Sequence, residues 1–452
     1  MLGSNWISLK VRLGGEIVKG IMREFLASVL VLAAITAGQA LCAEAGVLRA
    51  GAARVDITPA QDEFPCKVSG ERSFVGVHDP VYARALVLDD GRREVAIVLV
   101  DVTMIPKPNE LVKAVAEELK IPEANLLLAA THTHNVPLVS YHGGEPDAQQ
   151  AREIERLKQG AVKAARNAKE RLQPARVGFA RGEAWVNINN GEQTGAKDGF
   201  DPHGPSDKSL DVLKVQSANG SPMALLVDYA SHAEVMFRSV TKDNGYEVSG
   251  DLPGAAASIL ENQSQDSPVV LFASAAAGDQ LSIFKSLKPA AQLPAADEGA
   301  AGWAILDVQA RRLASSVQRL TAAMPEGASQ VTLSAASKAV ECPGQHLRLN
   351  RETGKVEIEE KPPVQIPLSV LRINDIVLAG VGGDVGSEIG MKFKAASSLT
   401  DATMITMTSG SIGYILADAS YLHPGHAVMG SPLRQGCAEK AVVDGLLDLI
   451  SH

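Results

Sequence analysis

Six apolar runs of strand length each end on a side chain that can bind a metal or move a proton, and that regularity limits both fold and site. "VAIVLVD" ends in Asp101, "LLLAATHTH" in His132 and His134, and "ALLVDYASH" in His232. "VVLFASAAAGD" ends in Asp279, "DIVLAGVGGD" in Asp384, and "MITMTSGSIGY" in Tyr414. Continuous Val/Ile/Leu runs fit strands covered on both faces. Helical spacing of alanine, leucine and charged residues at about 107–119, 147–173, 253–263, 302–323 and 433–450 supplies the covering elements. The expectation is an α/β fold, a mixed and largely buried β-sheet core flanked by helices. In such sheets ligands bind beyond the carboxyl ends of the strands, where these polar residues collect.

Stretches 190–206 and 326–367 read as loops and peripheral strands rather than linkers, and no repeat of fixed period is visible. One catalytic domain over 46–452 is therefore expected. The formal charge of −9 and the lack of a Lys/Arg cluster argue against a nucleic-acid partner and a polybasic membrane patch.

Residues 25–43, "FLASVLVLAAITAGQALCA", follow Arg23 and end in small residues, the pattern of an export signal over 1–45. A membrane anchor is the rival reading. Met22 stands where such a signal begins, and cleavage is expected between Leu41 and Gly46. Beyond Cys42 remain Cys66, Cys342 and Cys437, which permit one disulfide without requiring it.

His132 and His134 are two apart, so on a continuing strand their rings leave one face and reach one ion or one substrate atom. Imidazole is the commonest metal ligand, and His232 with a carboxylate would complete a zinc-like set. His-x-His alone is also a common hydrogen-bonding pair. His142, His203, His423 and His426 lie in glycine- or proline-bearing loops and read as surface or supporting residues.

"AGAARVDITP", "VHDPVYARALVLDDG", "ATHTHNVP", "YASHAEVMF", "VSGDLPGAA", "FASAAAGDQ", "GGDVGSEIGMKFK" and "SIGYILADASY" occur in an order that resembles the catalytic domain of the neutral, non-lysosomal ceramidases. The resemblance implies a zinc-dependent amide hydrolase acting on N-acylsphingosines, with transient contact at a membrane surface. It implies His132, His232, Asp384 and Tyr414 as zinc ligands, and His134 as donor to the developing oxyanion. Asp279 would take a proton, and Asn190 and Asp251 would face substrate.

Several positions depart from the family pattern. Leu281 stands where the family has its attacking serine, with Ser282 one place late; Asp384 replaces a glutamate. The family's substrate-facing arginine has no counterpart in "VNINNGEQTG", and Leu138 and Val139 replace glycines. The expectation is a catalytic domain without the β-sandwich domain that follows it in full-length members of the family. These departures favour a metal-activated water as nucleophile, with Asp279, Asp251 or Asp101 as base. Hydrolysis of another ester or amide at the same metal site, and a non-catalytic binding protein on the same fold, are the alternatives.

Overall fold

The computed structural model describes residues 45–68, 72–141, 143–191, 200–241, 243–262, 267–285, 299–350, 356–423 and 425–451. The expected export segment lies outside them. Among the described residues no helix is long and apolar enough to cross a membrane.

The chain runs through one arrangement three times. The first pass is β1 (Arg49–Asp56), β2 (Tyr82–Asp89), β3 (Glu94–Val100), α1 (Pro108–Leu119), β4 (Leu126–Ala130) and α2 (Ala148–Glu170). The second is β5 (Gln173–Glu183), β6 (Ser209–Ser217), β7 (Pro222–Tyr229), α3 (Asp251–Glu261), β8 (Val269–Ser274) and α4 (Gly299–Ala323). The third is β9 (Leu333–Leu349), β10 (Val356–Ile373), β11 (Ile376–Val381), α5 (Ser387–Ala396), β12 (Ala402–Ile405) and α6 (Ala438–Ser451). In each, three strands form an antiparallel meander and a helix crosses to a fourth strand parallel to the third. Two residue pairs between β1 and β5 join the first two modules into one eight-stranded sheet.

The expected mixed sheet is thus an eight-stranded and a four-stranded sheet, antiparallel within each meander. The repeat escaped detection because its copies share topology without a fixed residue period. Segment 326–367, read as loops and peripheral strands, instead supplies the two longest strands of the four-stranded sheet, β9 and most of β10.

Strand alternation sorts the residues. On β2, Leu86 and Leu88 point inward, while Ala83, Ala85 and Val87 point toward the helices. The inward faces of all three modules meet in one core, where Leu86, Ile97 and Leu127 join Leu213 and Leu226 from the second module and Leu371, Ile373 and Leu378 from the third. Each such side chain contributes roughly 1.5–3 kcal/mol on burial. The outward faces are covered by each module's own helices. Small outward residues let those helices approach closely: a Cβ on Gly51 would stand 2.1 Å from the Ala168 carbonyl oxygen of α2.

Beyond the carboxyl ends of the parallel strands the modules are knitted together. Ser409 donates its N–H to the Leu128 carbonyl at 2.7 Å, joining the third module to the first. Thr406 donates to the Ser274 carbonyl at 2.8 Å, joining it to the second. A disulfide between Cys342 of β9 and Cys437, just before α6, closes the third module, and Cys66 is a buried free thiol.

Candidate metal centre

At this junction each module contributes one side chain. His132 follows β4, His232 follows β7 and Asp384 follows β11, so one comes from each module. His132 leaves its strand in a left-handed backbone conformation, φ 65°, uncommon for a residue with a Cβ and tolerated where surrounding structure enforces it.

The histidine tautomers follow from hydrogen bonding. His132 Nδ1 lies 2.6 Å from the Thr103 carbonyl oxygen, and His232 Nδ1 lies 3.0 Å from that of Ala277. A carbonyl only accepts, so both Nδ1 atoms carry the proton and both Nε2 atoms present a lone pair. Those Nε2 atoms are 2.9 Å apart. At that distance the two nitrogens need either a shared proton or a metal ion beside them. Asp384 Oδ2 is 3.6 Å from each Nε2, while its Oδ1, also buried, has no hydrogen-bond partner among the described residues.

Burial alone would raise the Asp384 carboxyl and depress His132. The pairing wins in both: His232 and His132 hold Asp384 below the usual carboxylate range, and Asp384 holds His132 above the usual imidazole range. Tetrahedral zinc with bonds of about 2.0–2.2 Å requires donor atoms roughly 3.3 Å apart. The 2.9 and 3.6 Å separations bracket that value, so the donor set fits a divalent transition metal.

His134 completes a histidine trio whose ligand atoms lie within 4.8 Å of one another. Its Nε2 is 3.4 Å from that of His132, and its ring meets Phe237 edge to face at 5.0 Å. Burial, reinforced by His132 and His232, holds this imidazole neutral, well below its ordinary range. Tyr414 pairs with Asp384 across two short parallel strands, and residues paired in this way share a face. Its half-buried ring also touches His426, 5.9 Å between centroids, so His426 sits beside this wall. Gly278 packs closely here: a Cβ there would stand 3.0 Å from the Asp384 carbonyl oxygen and 3.1 Å from its Oδ1, a tight fit that favours glycine.

The other expected site residues support the loops. Asp251, expected to face substrate, is fully buried and accepts from Asn135 Nδ2 at 2.7 Å and from the N–H groups of Val235, Met236 and Leu252. It therefore ties the loop after His134 to the loop after His232. Asp279 accepts from the Ser387 N–H and hydroxyl, each at 2.8 Å, anchoring the start of α5. Burial pushes both carboxyls up to about 6.

Asn190 donates its backbone N–H to the Asp279 carbonyl at 2.8 Å. Asp101 is paired with buried Arg84 at 2.8 Å, which also holds Glu261 of α3. Ser282 lies on the short strand Gln280–Ser282; its buried hydroxyl is 3.2 Å from that of Ser231, whereas Leu281 alternates to the more exposed face.

Thr103, Ala277 and Phe237 were missed by sequence reasoning. The first two act through backbone carbonyls, which no residue type announces. Asn135, directly after the His-x-His pair, was the one legible signal for the Asp251 brace.

The family "neutral/alkaline non-lysosomal ceramidase, N-terminal" matches residues 49–283, more than half of the chain. The chain belongs to this family. Neutral ceramidase B of Dictyostelium discoideum is 29% identical over 207 residues, 42% of this chain and 28% of that protein. Neutral ceramidase of Pseudomonas aeruginosa is 27% identical over 223 residues, 44% of this chain and 32% of that protein. The chain thus spans less than a third of either relative. The crystal structure of neutral ceramidase from Pseudomonas aeruginosa superposes with a TM-score of 0.69 at 18% identity, covering 89% of this chain and 74% of that one. A ceramidase complexed with C2 gives 0.70 over the same coverage at 18% identity. At that identity the agreement speaks for the fold. Asp384 and Tyr414 lie beyond the family match, so their place in the site rests on geometry.

Proposed function

We propose that this ceramidase-family chain is a zinc-dependent hydrolase of a linear lipid amide of the ceramide class. The carrying observation is the pair of Nε2 atoms 2.9 Å apart, turned toward each other because both Nδ1 atoms donate to carbonyls, beside a carboxylate with one buried oxygen that has no hydrogen-bond partner among the described residues. His132, His232 and Asp384 would hold the ion, with Tyr414 as fourth ligand. Zinc, when bound, polarises a carbonyl and lowers the pKa of a water to about 7.

The remaining roles fall to this chain's own groups. Neutral His134 donates its ring N–H to the carbonyl oxygen as negative charge develops there, a contribution typically worth 10²–10³ in rate. The Thr103 and Ala277 carbonyls fix the tautomers that keep both Nε2 atoms available. Asp251 and Asp279 hold the loops and strands that carry these groups. Packing of Phe237 against His134 supplies an apolar wall suited to an alkyl substrate.

A second reading makes His134 a third nitrogen ligand, favoured by the compactness of the trio. Metal content of His134→Ala separates the two. We also infer export, supported by the signal-like sequence of residues 25–43 and by the Cys342–Cys437 disulfide, which persists in oxidising compartments.

The test is metal analysis of the purified chain combined with turnover of a short-chain ceramide and a panel of non-lipid amides and esters. One zinc per chain with preferential ceramide cleavage supports the reading. One zinc with no lipid turnover but hydrolysis of another substrate transfers the site to that bond. Absence of both metal and turnover leaves a binding protein on this fold.

A further inference from the structure

A second concave site lies outside the metal centre, between the segment after β5 and the exposed side of α4. It has a volume of about 480 Å³, within the range of small-molecule sites. Arg312, Ser315, Ser316 and Arg319 line it from α4 at spacings of three, four and seven, which place all four on one helix face. Arg311 joins them from the next row, while Trp185 forms the opposite wall.

The charge of this groove opposes that of the chain. Three guanidinium groups line it against a single carboxylate, Glu183, on a protein of formal charge −9. Arg311 is paired along the helix with Asp307 at 2.8 Å, and Arg319 donates to the Ser316 hydroxyl at 2.9 Å. The Ser316 hydroxyl also donates to the Arg312 carbonyl at 3.2 Å, so the guanidinium N–H groups and the Ser315 hydroxyl, only a turn apart, are the principal donors, a set that suits a tetrahedral oxyanion.

Trp185 specifies the rest of the ligand. It is 60% exposed, an unusual position for the largest apolar side chain. Its indole N–H already donates to Glu183 at 3.3 Å, so what it offers a ligand is its flat face. The Lys208 ammonium lies 5.5 Å from the ring centroid, adding a further cation at the Trp185 end.

We propose that this groove binds a sugar or polyol ring carrying a phosphate or sulfate group, the ring against Trp185 and the anion on Arg312, Arg319 and the intervening serines. The site is independent of the hydrolytic reading. It is nevertheless joined to the metal centre: the Ile283 N–H donates to Val186 of the groove wall, and the His232 N–H donates to the Gln280 carbonyl three residues earlier. Bound there, an acidic glycan or a phosphorylated headgroup would hold the chain against the surface that carries it.

The test is isothermal titration of the intact metal-loaded chain with glucose 6-phosphate, glucose, inorganic phosphate and a sulfated oligosaccharide, with phosphatidylglycerol vesicles as a separate arm. Saturable binding of glucose 6-phosphate or the sulfated sugar, at least about tenfold tighter than glucose or phosphate alone and weakened by salt, is expected. Arg312→Ala with Arg319→Ala should abolish it, and Trp185→Ala should weaken it about tenfold, with metal content and hydrolysis unchanged. Binding of phosphate alone as tightly as the sugar phosphate would overturn the ring assignment. Binding to vesicles only would overturn the sugar class in favour of bilayer docking, and unchanged binding by the arginine variants would overturn the site.

Discussion

Asp384→Asn separates a carboxylate that binds metal from one that merely neutralises a histidine pair. The replacement preserves side-chain volume and removes the negative charge. In the wild-type chain Oδ2 lies 3.6 Å from both Nε2 atoms, and Oδ1 has no hydrogen-bond partner among the described residues, so the change falls chiefly on the histidines and on any ion they hold. Loss of a partner that only orients a ligand costs 10–100-fold in metal affinity. Loss of a direct ligand should exceed the upper end of that range, about 2.7 kcal/mol.

If free zinc stands a thousandfold above the wild-type Kd, binding stabilises the fold by about 4.1 kcal/mol. The variant would retain roughly 1.4 kcal/mol of it. At roughly 2 °C per kcal/mol or less for a chain of this length, the zinc-induced rise in Tm should shrink by about 5 °C. Equilibrium dialysis and calorimetry with and without chelator provide the assay. The chelated forms should unfold within a few degrees of each other, because the asparagine amide can donate to an exposed Nε2 lone pair. A full zinc equivalent and an undiminished Tm rise in Asp384→Asn would remove Asp384 from the ligand set.

Four further outcomes are expected. His134→Ala should keep its zinc and lose about 10²–10³ in kcat with a ceramide substrate, whereas loss of zinc would make His134 a ligand. Ser282→Ala should retain most turnover, since the hydroxyl is buried against Ser231; a fall beyond about a hundredfold with zinc still bound would restore the serine as nucleophile. Asp279 has a folded pKa near 6, above its ordinary 3.8, so its contribution to stability is full below about pH 4 and is lost as pH rises through 6. Asp279→Asn should therefore reduce the negative slope of unfolding free energy against pH between 4 and 6 by about 1.4 kcal/mol per unit, read from urea midpoints of the chelated chain; an unchanged slope would mean the carboxyl is ionised throughout. N-terminal sequencing of the exported product should begin between Leu41 and Gly46, and a membrane-bound product retaining residues 25–43 would identify an anchor instead.

The apolar runs were legible because burial on two faces leaves few polar positions inside a strand: "ALLVDY" lies wholly within the observed β7, with Asp228 its one charged residue. The helix over Ser387–Ala396 was hidden, since "SEIGMKFKAA" is short and its glycine and charges dilute the helical period. Strand ends mark candidate residues without saying which way they turn. His132 and His232 converge because Thr103 and Ala277 offer carbonyls to their rings, while Asp101, at an equivalent strand end, turns back onto Arg84. Asp251 and Asp279 carry the right chemistry for a site, yet their oxygens are taken by backbone N–H groups and a serine. Such partners depend on tertiary approach, and residue type alone could not reveal them.

The threefold recurrence explains why the centre lies where it does. Each module turns the carboxyl ends of its two parallel strands toward the same junction, so a single residue past each strand suffices to bring three donors together. No module holds the set alone, and the short hydrogen bonds from Thr406 and Ser409 fix the modules at the same place. An ion at this point would therefore act on the packing between modules. With it removed, the Nε2 pair 2.9 Å apart can share only a proton, and a buried carboxylate oxygen with no hydrogen-bond partner among the described residues is left where the three modules meet. Local opening in the chelated chain should accordingly begin at the loops after β4, β7 and β11 while the interior of each sheet stays closed. Amide hydrogen exchange resolves this directly: equal protection of those loops with and without metal would mean that the junction is held by packing alone.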